Sequence, residues 1–127
     1  AEWEKEVREE INRLVREHTQ KALFIAGGKV ILYDIKPKFA LRGEISNRIQ
    51  ALYPDKIVII GEIEDGHYLM SFRTIKANVS FPDLIRKAIE KMEGAHGGGH
   101  AKAAGCKVLL EDKERFLQRF IQSLNKN

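Results

Sequence analysis

The stretch Lys56-Ile57-Val58-Ile59-Ile60-Gly61 decides the fold class of this 127-residue chain. Four consecutive branched apolar residues predict a strand that is covered on both faces, because a strand with one wet face alternates apolar and polar residues. Such a strand belongs inside a sheet onto which helices pack, and we therefore expect an α/β fold. The length of the chain suits one compact domain.

Further strands and helices are predicted on both sides of this run. Apolar alternation and turn residues predict strands over residues 23–26, 30–35, 56–61, 67–73 and 106–110, and helical spacing predicts helices over residues 2–21, 43–52, 80–92 and 112–124. Gly27-Gly28-Lys29 predicts a hairpin between the first two strands. The expected architecture is a single mixed, roughly five-stranded sheet with helices packed on it.

The first predicted helix has a narrow apolar face. Its apolar side chains fall at helical spacing between charged residues: Trp3, Val7, Ile11, Leu14 and Val15. A stripe this narrow is not typical of a central core helix. We expect residues 1–21 to form an amphipathic connecting helix, which packs on the domain or reaches towards a preceding one, and residues 22–127 to form the domain itself.

Composition excludes several classes of protein. No run approaches the roughly 18 apolar residues that a membrane span needs, and the acidic opening does not resemble a signal peptide. Cys106 is the only cysteine, so the chain cannot form an internal disulfide. A reducing, cytoplasmic location is expected, with no membrane partner. Cys106 itself is expected to be a buried strand residue.

Positive charge is concentrated in the second half of the sequence. Residues 1–66 hold 11 Lys/Arg and 12 Asp/Glu, whereas residues 67–127 hold 11 Lys/Arg and 6 Asp/Glu. No acidic residue occurs from Gly94 to Leu110. The asymmetry is either a chance feature of the surface or the mark of a site for an anion such as a phosphate ester.

The most informative motif is Gly97-Gly98-Gly99-His100-Ala101-Lys102-Ala103-Ala104-Gly105. Each glycine costs roughly 0.5–1 kcal/mol of backbone entropy relative to alanine, so three in succession need a reason. Glycines let a backbone approach a ligand closely, and we expect a loop followed by one helical turn at residues 101–104, whose dipole would favour an anion. His100 and Lys102 would add side-chain donors. The alternative is a flexible or tight surface loop without a ligand.

This motif, together with two other segments, resembles the DHHA1 domain of DHH-type phosphoesterases. Gly97-Gly98-Gly99-His100 followed by Ala103-Ala104-Gly105 is similar to the family signature, Ser71-Phe72-Arg73 is similar to its Ser-x-Arg strand end, and Asn78-Val79 to its Asn-Val before a helix. The resemblance covers about residues 22–124. It points to the branch of RecJ-like exonucleases and of oligoribonucleases that also cleave phosphoadenosine phosphate.

The resemblance implies a substrate-gripping function. Its substrate-contacting candidates are Arg73, the backbone of Gly97, Gly98 and Gly99, and His100, with Lys102 as a further donor and Asn78 as a weaker candidate. The implied partners are single-stranded nucleic acid, a short oligonucleotide or a nucleotide, and a preceding catalytic domain that holds manganese. The family often has glycine or an aromatic residue where this chain has Ala95-His96, which leaves the role of His96 open.

Other interpretations of these residues stay open at this point. Arg73 could pair with a carboxylate, and His100 could cap the following turn. His96 and His100 lie four residues apart, but the glycines between them disfavour a helix and no carboxylate is close in sequence, so no metal site is expected. The five aspartates are scattered, whereas two-metal hydrolysis needs several converging carboxylates, and no catalytic residue is assigned to this chain.

Two other functions compete with phosphate binding by part of a hydrolase. The chain could be a protein-interaction module of a RecJ-like replication or repair factor, docking a partner through residues 1–21. It could also be the related C-terminal domain of a tRNA synthetase. The short Gly-Gly-Gly-His-x-x-x-Ala-Gly form fits the phosphoesterase branch better.

Overall fold

One six-stranded mixed sheet runs through residues 1–126, the part of the chain that this computed structural model describes. Its strands are β1 (Leu23–Ile25), β2 (Val30–Asp34), β3 (Ile57–Glu64), β4 (His67–Arg73), β5 (His96–His100) and β6 (Ala103–Leu109). Their spatial order is β1-β2-β3-β4-β6-β5. Only β2 and β3 pair in parallel, and the other neighbours are antiparallel. Asn127, the last residue of the predicted domain, lies outside the described residues.

Helices cover both faces of the sheet and make a three-layer α/β architecture. They are α1 (Glu2–Lys21), α2 (Arg42–Leu52), α3 (Phe81–Ala88) and α4 (Lys113–Asn125), with a short 3₁₀ turn at Leu110–Asp112. The α/β fold with one mixed sheet is confirmed. Helix α2 makes the crossover that the parallel pair β2–β3 requires, since parallel strands cannot be joined by a tight turn.

Strand β3 is buried on both faces, as its sequence predicts. Ile57 and Ile59 enter the hydrophobic cluster beneath α3 and α4, while Val58 and Ile60 enter the one beneath α1 and α2. All four side chains are at most 1% exposed. The larger cluster is centred on Phe72, whose ring lies 5.3–6.2 Å from three other phenylalanine rings: Phe81, Phe116 and Phe120.

Helix α1 packs on the domain through its polar as well as its apolar residues. Leu14 is buried and its backbone carbonyl accepts a hydrogen bond from the Tyr33 hydroxyl at 2.6 Å. His18 is also buried, and its Nε2 lies 2.8 Å from the Tyr53 hydroxyl. The first helix is therefore anchored to β2 and to the end of α2. Within residues 1–126, no helix combines the length and the apolar character that a bilayer span requires.

Three local expectations about the second half were wrong. Residues 97–99 do not form a loop: they lie in β5, which adds the sixth strand to the roughly five expected. No helical turn occupies residues 101–104, because Ala101 and Lys102 form a turn and Ala103 begins β6. Helix α3 also ends at Ala88 rather than near residue 92, and the chain leaves it through left-handed backbone at Lys91 and Gly94.

Candidate functional site

One side of β4, β6 and β5 is largely free of helices and carries the residues that the motif singled out. Ala104, Cys106 and Val108 of β6 point into the cluster beneath α3 and α4, so the alternate residues of β6 point to the opposite side. On that side α2 packs over β3 and β4. We call nine residues that lie on this side of the three strands the open face, although Ser71 among them is buried: Leu69, Ser71, Arg73, Ala103, Gly105, Lys107, His96, Gly98 and His100.

The strand register brings Arg73 and His100 into one row across the open face. Arg73 is the direct partner of Ala103, and Ala103 is the direct partner of His100. Two strand spacings separate the outer residues, so their Cα atoms lie roughly 10 Å apart. The small side chain of Ala103 leaves room between them for a group that both side chains can reach.

Arg73 is a half-buried cation that an amide holds in place. Its Nε donates to Asn47 Oδ1 on α2 at 2.8 Å, and its Nη1 donates to the carbonyl of Phe72 at 2.8 Å. Burial lowers the pKa of the Arg73 guanidinium, although a guanidinium stays charged in proteins. Among the ion pairs of residues 1–126, none involves Arg73, so the alternative interpretation, a pairing with a carboxylate, is not observed. The partially desolvated charge therefore favours an incoming anion.

The three glycines of β5 differ in what the fold requires of them. A Cβ at Gly97 would lie 2.6 Å from Ile85 Cγ2, and one at Gly99 would lie 2.7 Å from the carbonyl of Ala103. Packing and hairpin geometry thus explain these two residues. A Cβ at Gly98 would meet nothing within 4 Å. The fold does not account for the absence of a side chain there.

Gly98 extends into a patch with almost no side-chain bulk. Its direct partner is Gly105, whose partner in turn is Ser71, so the three form the row next to Arg73 and His100. A Cβ at Gly105 would approach only the carbonyl of Met70, at an ordinary 3.6 Å. Because β5 is an edge strand, alternate backbone N–H groups of its glycines also point away from the sheet. The patch permits close approach of a flat or anionic ligand.

Lys102 and Asn78 lie beside this row rather than in it. Lys102 Nζ donates to the carbonyl of Val79 at 2.7 Å and to that of Lys76. Backbone bonds from Thr74 and Phe81 to the same hairpin turn complete the connection. The ammonium group therefore ties the β5–β6 turn to the loop before α3. Asn78 is exposed in that loop.

Two other reactive side chains, His100 and Cys106, lie on β5 and β6. No helical turn follows His100, so the alternative role as a cap of such a turn does not apply. Cys106 is buried in β6 as predicted, and burial raises the pKa of its thiol to about 12. Within the described residues, no group of three or more His, Cys, Asp or Glu lies close enough together to hold a metal ion.

Sequence reasoning did not identify Asn47, the residue that orients Arg73. It lies 26 residues earlier in the chain, on a helix whose packing over β4 only the tertiary structure shows. The exposed face of a helix gives no local signal of such a contact. Gly43, one turn before Asn47, belongs to the same arrangement, since a Cβ there would lie 3.6 Å from Arg73 Nη2.

Comparisons with known proteins agree with this architecture. A family model described as the DHHA1 domain matches residues 27–126, which is most of the chain. No match is found among curated protein sequences.

Solved structures share the fold at low sequence identity. RecJ from Thermus thermophilus, in complex with Mg²⁺, superposes with a TM-score of 0.74 at 17% identity, over 97% of this chain and 18% of RecJ. PggH from Vibrio cholerae, a pGpG-specific phosphodiesterase, superposes with a TM-score of 0.65 at 20% identity, over 94% of this chain and 40% of PggH. The C-Ala domain of alanyl-tRNA synthetase from Aquifex aeolicus superposes with a TM-score of 0.56 at 18% identity, over 80% of this chain and 97% of the C-Ala domain. The chain spans less than half the length of RecJ and of PggH.

Proposed function

The chain belongs to the DHHA1 domain family, and from this membership we propose that it binds the phosphate groups of a nucleotide or single-stranded oligonucleotide for a DHH-type phosphoesterase. The family match and the RecJ and phosphodiesterase neighbours support an accessory domain of a DHH-family protein. Binding of nucleic-acid phosphate is our inference from the open face.

One observation carries the proposal. Arg73 is a half-buried guanidinium without an anionic partner among residues 1–126, and it borders a patch at Gly98 and Gly105 where the fold does not require glycine. An arginine fork suits the oxygens of a phosphate, and His100 closes the other side of the row. The same patch would let a sugar or base lie directly on the backbone.

Hydrolysis itself is assigned to a preceding catalytic domain. Such a domain would hold manganese ions, which would activate the attacking water and stabilise the leaving oxygen. The residues of this chain would bind and orient the substrate. Asn47 would keep Arg73 in place, and Lys102 would hold the hairpin turn beside the bound phosphate. A cytoplasmic location, with its lone cysteine buried, remains part of the proposal.

The competing protein-interaction function finds little support on α1. A docking surface there would need an exposed apolar stripe, but Leu14 is 2% exposed and Val7 and Ile11 are half-buried against the domain. Only Trp3 of that stripe is strongly exposed, at 64%. The stripe is used within the domain, which leaves the open face as the better candidate.

A double-mutant cycle tests the proposal. Arg73→Ala and His100→Ala should each weaken binding of a 5′-phosphorylated oligonucleotide by roughly 1.5–3 kcal/mol, the range for a hydrogen bond to a charged group. Because the two side chains would share one phosphate, the losses in the double variant should not add. Affinity is measured by fluorescence anisotropy and folding by circular dichroism.

A matched control removes one charge from the opposite layer. Lys87→Gln, on the exposed side of α3, should leave affinity unchanged. If both single variants fold and bind like the wild type, the open face is not the phosphate site.

A further inference from the structure

The open face has a second cationic end that the family motif does not include. His96 is the direct partner of Lys107, and both point to the same side of the sheet as Arg73 and His100. Both side chains are exposed. Their row is separated from the Arg73–His100 row by the row of Ser71, Gly105 and Gly98.

The positive charge of this second end is largely uncompensated by carboxylates. Glu62 is the nearest acidic position in the same row, on β3 and two strands away from Lys107. Its Oε1 accepts a hydrogen bond from Arg42 Nη1 at 2.7 Å, so its charge is already compensated. Among the ion pairs of residues 1–126, none involves Lys107. The pair is therefore available to an anion.

The two cationic ends stand at a defined separation. His96 and His100 are four residues apart on one strand, which places their Cα atoms about 13 Å apart. A nucleotide repeat contains six backbone bonds, so when extended it spans about 7 Å, twice the reach of a three-bond peptide repeat. Two nucleotide repeats therefore match the distance between the ends, and one repeat does not.

We propose that a second phosphate subsite, formed by His96 and Lys107, binds the phosphate two nucleotides away from the one at Arg73 and His100. The strand would run along β5 and β6, with its middle nucleotide over the glycine patch. This inference rests on the proposed function of the open face and adds a length requirement: the full site is occupied only by a ligand of three nucleotides or more.

Ligand length tests the second subsite. The probes are the 5′-phosphorylated oligoadenylates pA, pApA and pApApA, whose affinities are measured for the wild type and for Lys107→Gln. The variant should bind pA and pApA like the wild type and should lose roughly fivefold in affinity for pApApA, the size of one exposed charge contact. Its salt dependence for pApApA should fall by about 0.7 in logarithmic slope.

His96→Ala provides a second variant, and Lys87→Gln serves as a control of equal charge on the other layer. His96→Ala should repeat the length-selective loss, because it shares the subsite. The proposal of a second subsite is wrong, even if the first subsite binds, under either of two outcomes. In one, Lys107→Gln and Lys87→Gln have the same affinity for pApApA. In the other, Lys107→Gln lowers the affinity for pA as much as the affinity for pApApA. If the wild type binds none of the three probes, the proposed function fails and this inference fails with it.

Discussion

At the scale of single residues, consecutive glycines do two different things in this domain. Gly97 lets α3 approach the sheet, and Gly99, at φ +138°, lets the chain enter the hairpin turn. Gly98 does neither, and its φ lies outside the left-handed region. A glycine that the fold does not need weakens an edge strand, so a functional reason for retaining it is the better explanation.

Valine substitutions separate the two kinds of glycine. Gly98→Val should leave the free energy of unfolding unchanged or raise it by about 0.5–1 kcal/mol, since valine suits a strand, and should abolish oligonucleotide binding. Gly97→Val should lower the free energy of unfolding by roughly 1–3 kcal/mol, because its side chain overlaps Ile85. Urea unfolding measures the free energy of unfolding of both variants, and fluorescence anisotropy measures their oligonucleotide binding. Undiminished binding by Gly98→Val would show that the ligand does not approach the patch.

At the scale of elements, α1 is attached to the domain by a buried carboxylate. Glu10 is 3% exposed and accepts hydrogen bonds at 2.8 Å from Arg13 Nε, from Arg13 Nη2 and from the backbone N–H of Lys38. The Arg13 hydrogen bonds, more than any other effect, lower the pKa of the Glu10 carboxyl from its ordinary 4.5, although burial opposes them. Helix α1 is thus held on the domain by an ionised group.

Acid should weaken this attachment. Because the folded-state pKa is depressed, the stabilisation is fully present above pH 4.5 and is lost as the pH falls below 4.5 through the folded-state pKa. Glu10→Gln should lower the free energy of unfolding at pH 7 by roughly 1–3 kcal/mol and flatten its decline below pH 4.5. Unfolding curves between pH 7 and pH 3 measure this. Glu9→Gln, on the exposed side of α1, is the control, and equal effects of the two variants would contradict the anchoring role.

At the scale of the whole molecule, helix α1 and the open face lie towards opposite ends of the sheet. The end with β1 and β2 carries α1, and the end with β6 and β5 carries the open face. Arg73, Lys107 and the two histidines of β5 lie on the open face, whereas other basic residues of the second half lie on α3 and α4 in the opposite layer: Arg86, Lys87, Lys113, Arg115 and Arg119. Under the proposed function, this arrangement would present a bound strand to a neighbouring catalytic domain.

The chain alone should bind without cleaving. Incubated with manganese and a labelled single-stranded oligonucleotide, it should release no mononucleotides, because residues 1–126 provide no cluster of metal-binding side chains. Binding should weaken with salt by about 0.7 in logarithmic slope for each phosphate neutralised. Steady release of mononucleotides that survives further purification would overturn the assignment of catalysis to another domain.

The sequence by itself determined the layered fold and the position of its central strand. Four branched apolar residues at 57–60 can be satisfied only by cover on both faces, and helical or alternating periodicity fixed most elements to within a few residues. These signals are local, since each depends on side chains a few positions apart. The resemblance of the motif segments also named Arg73 and His100 as substrate-contacting candidates before any geometry was known.

Only the tertiary structure decided how the glycine segment is used. Three glycines carry no strand propensity, so β5 exists because β6 offers it hydrogen bonds and α3 packs against Gly97. Pairing across β4, β6 and β5 then brings Arg73 into one row with His100. The contact between Asn47 and Arg73 arises in the same way, from the packing of α2 on the sheet. Register and helix packing join residues far apart in the chain, and no local pattern specifies those distances.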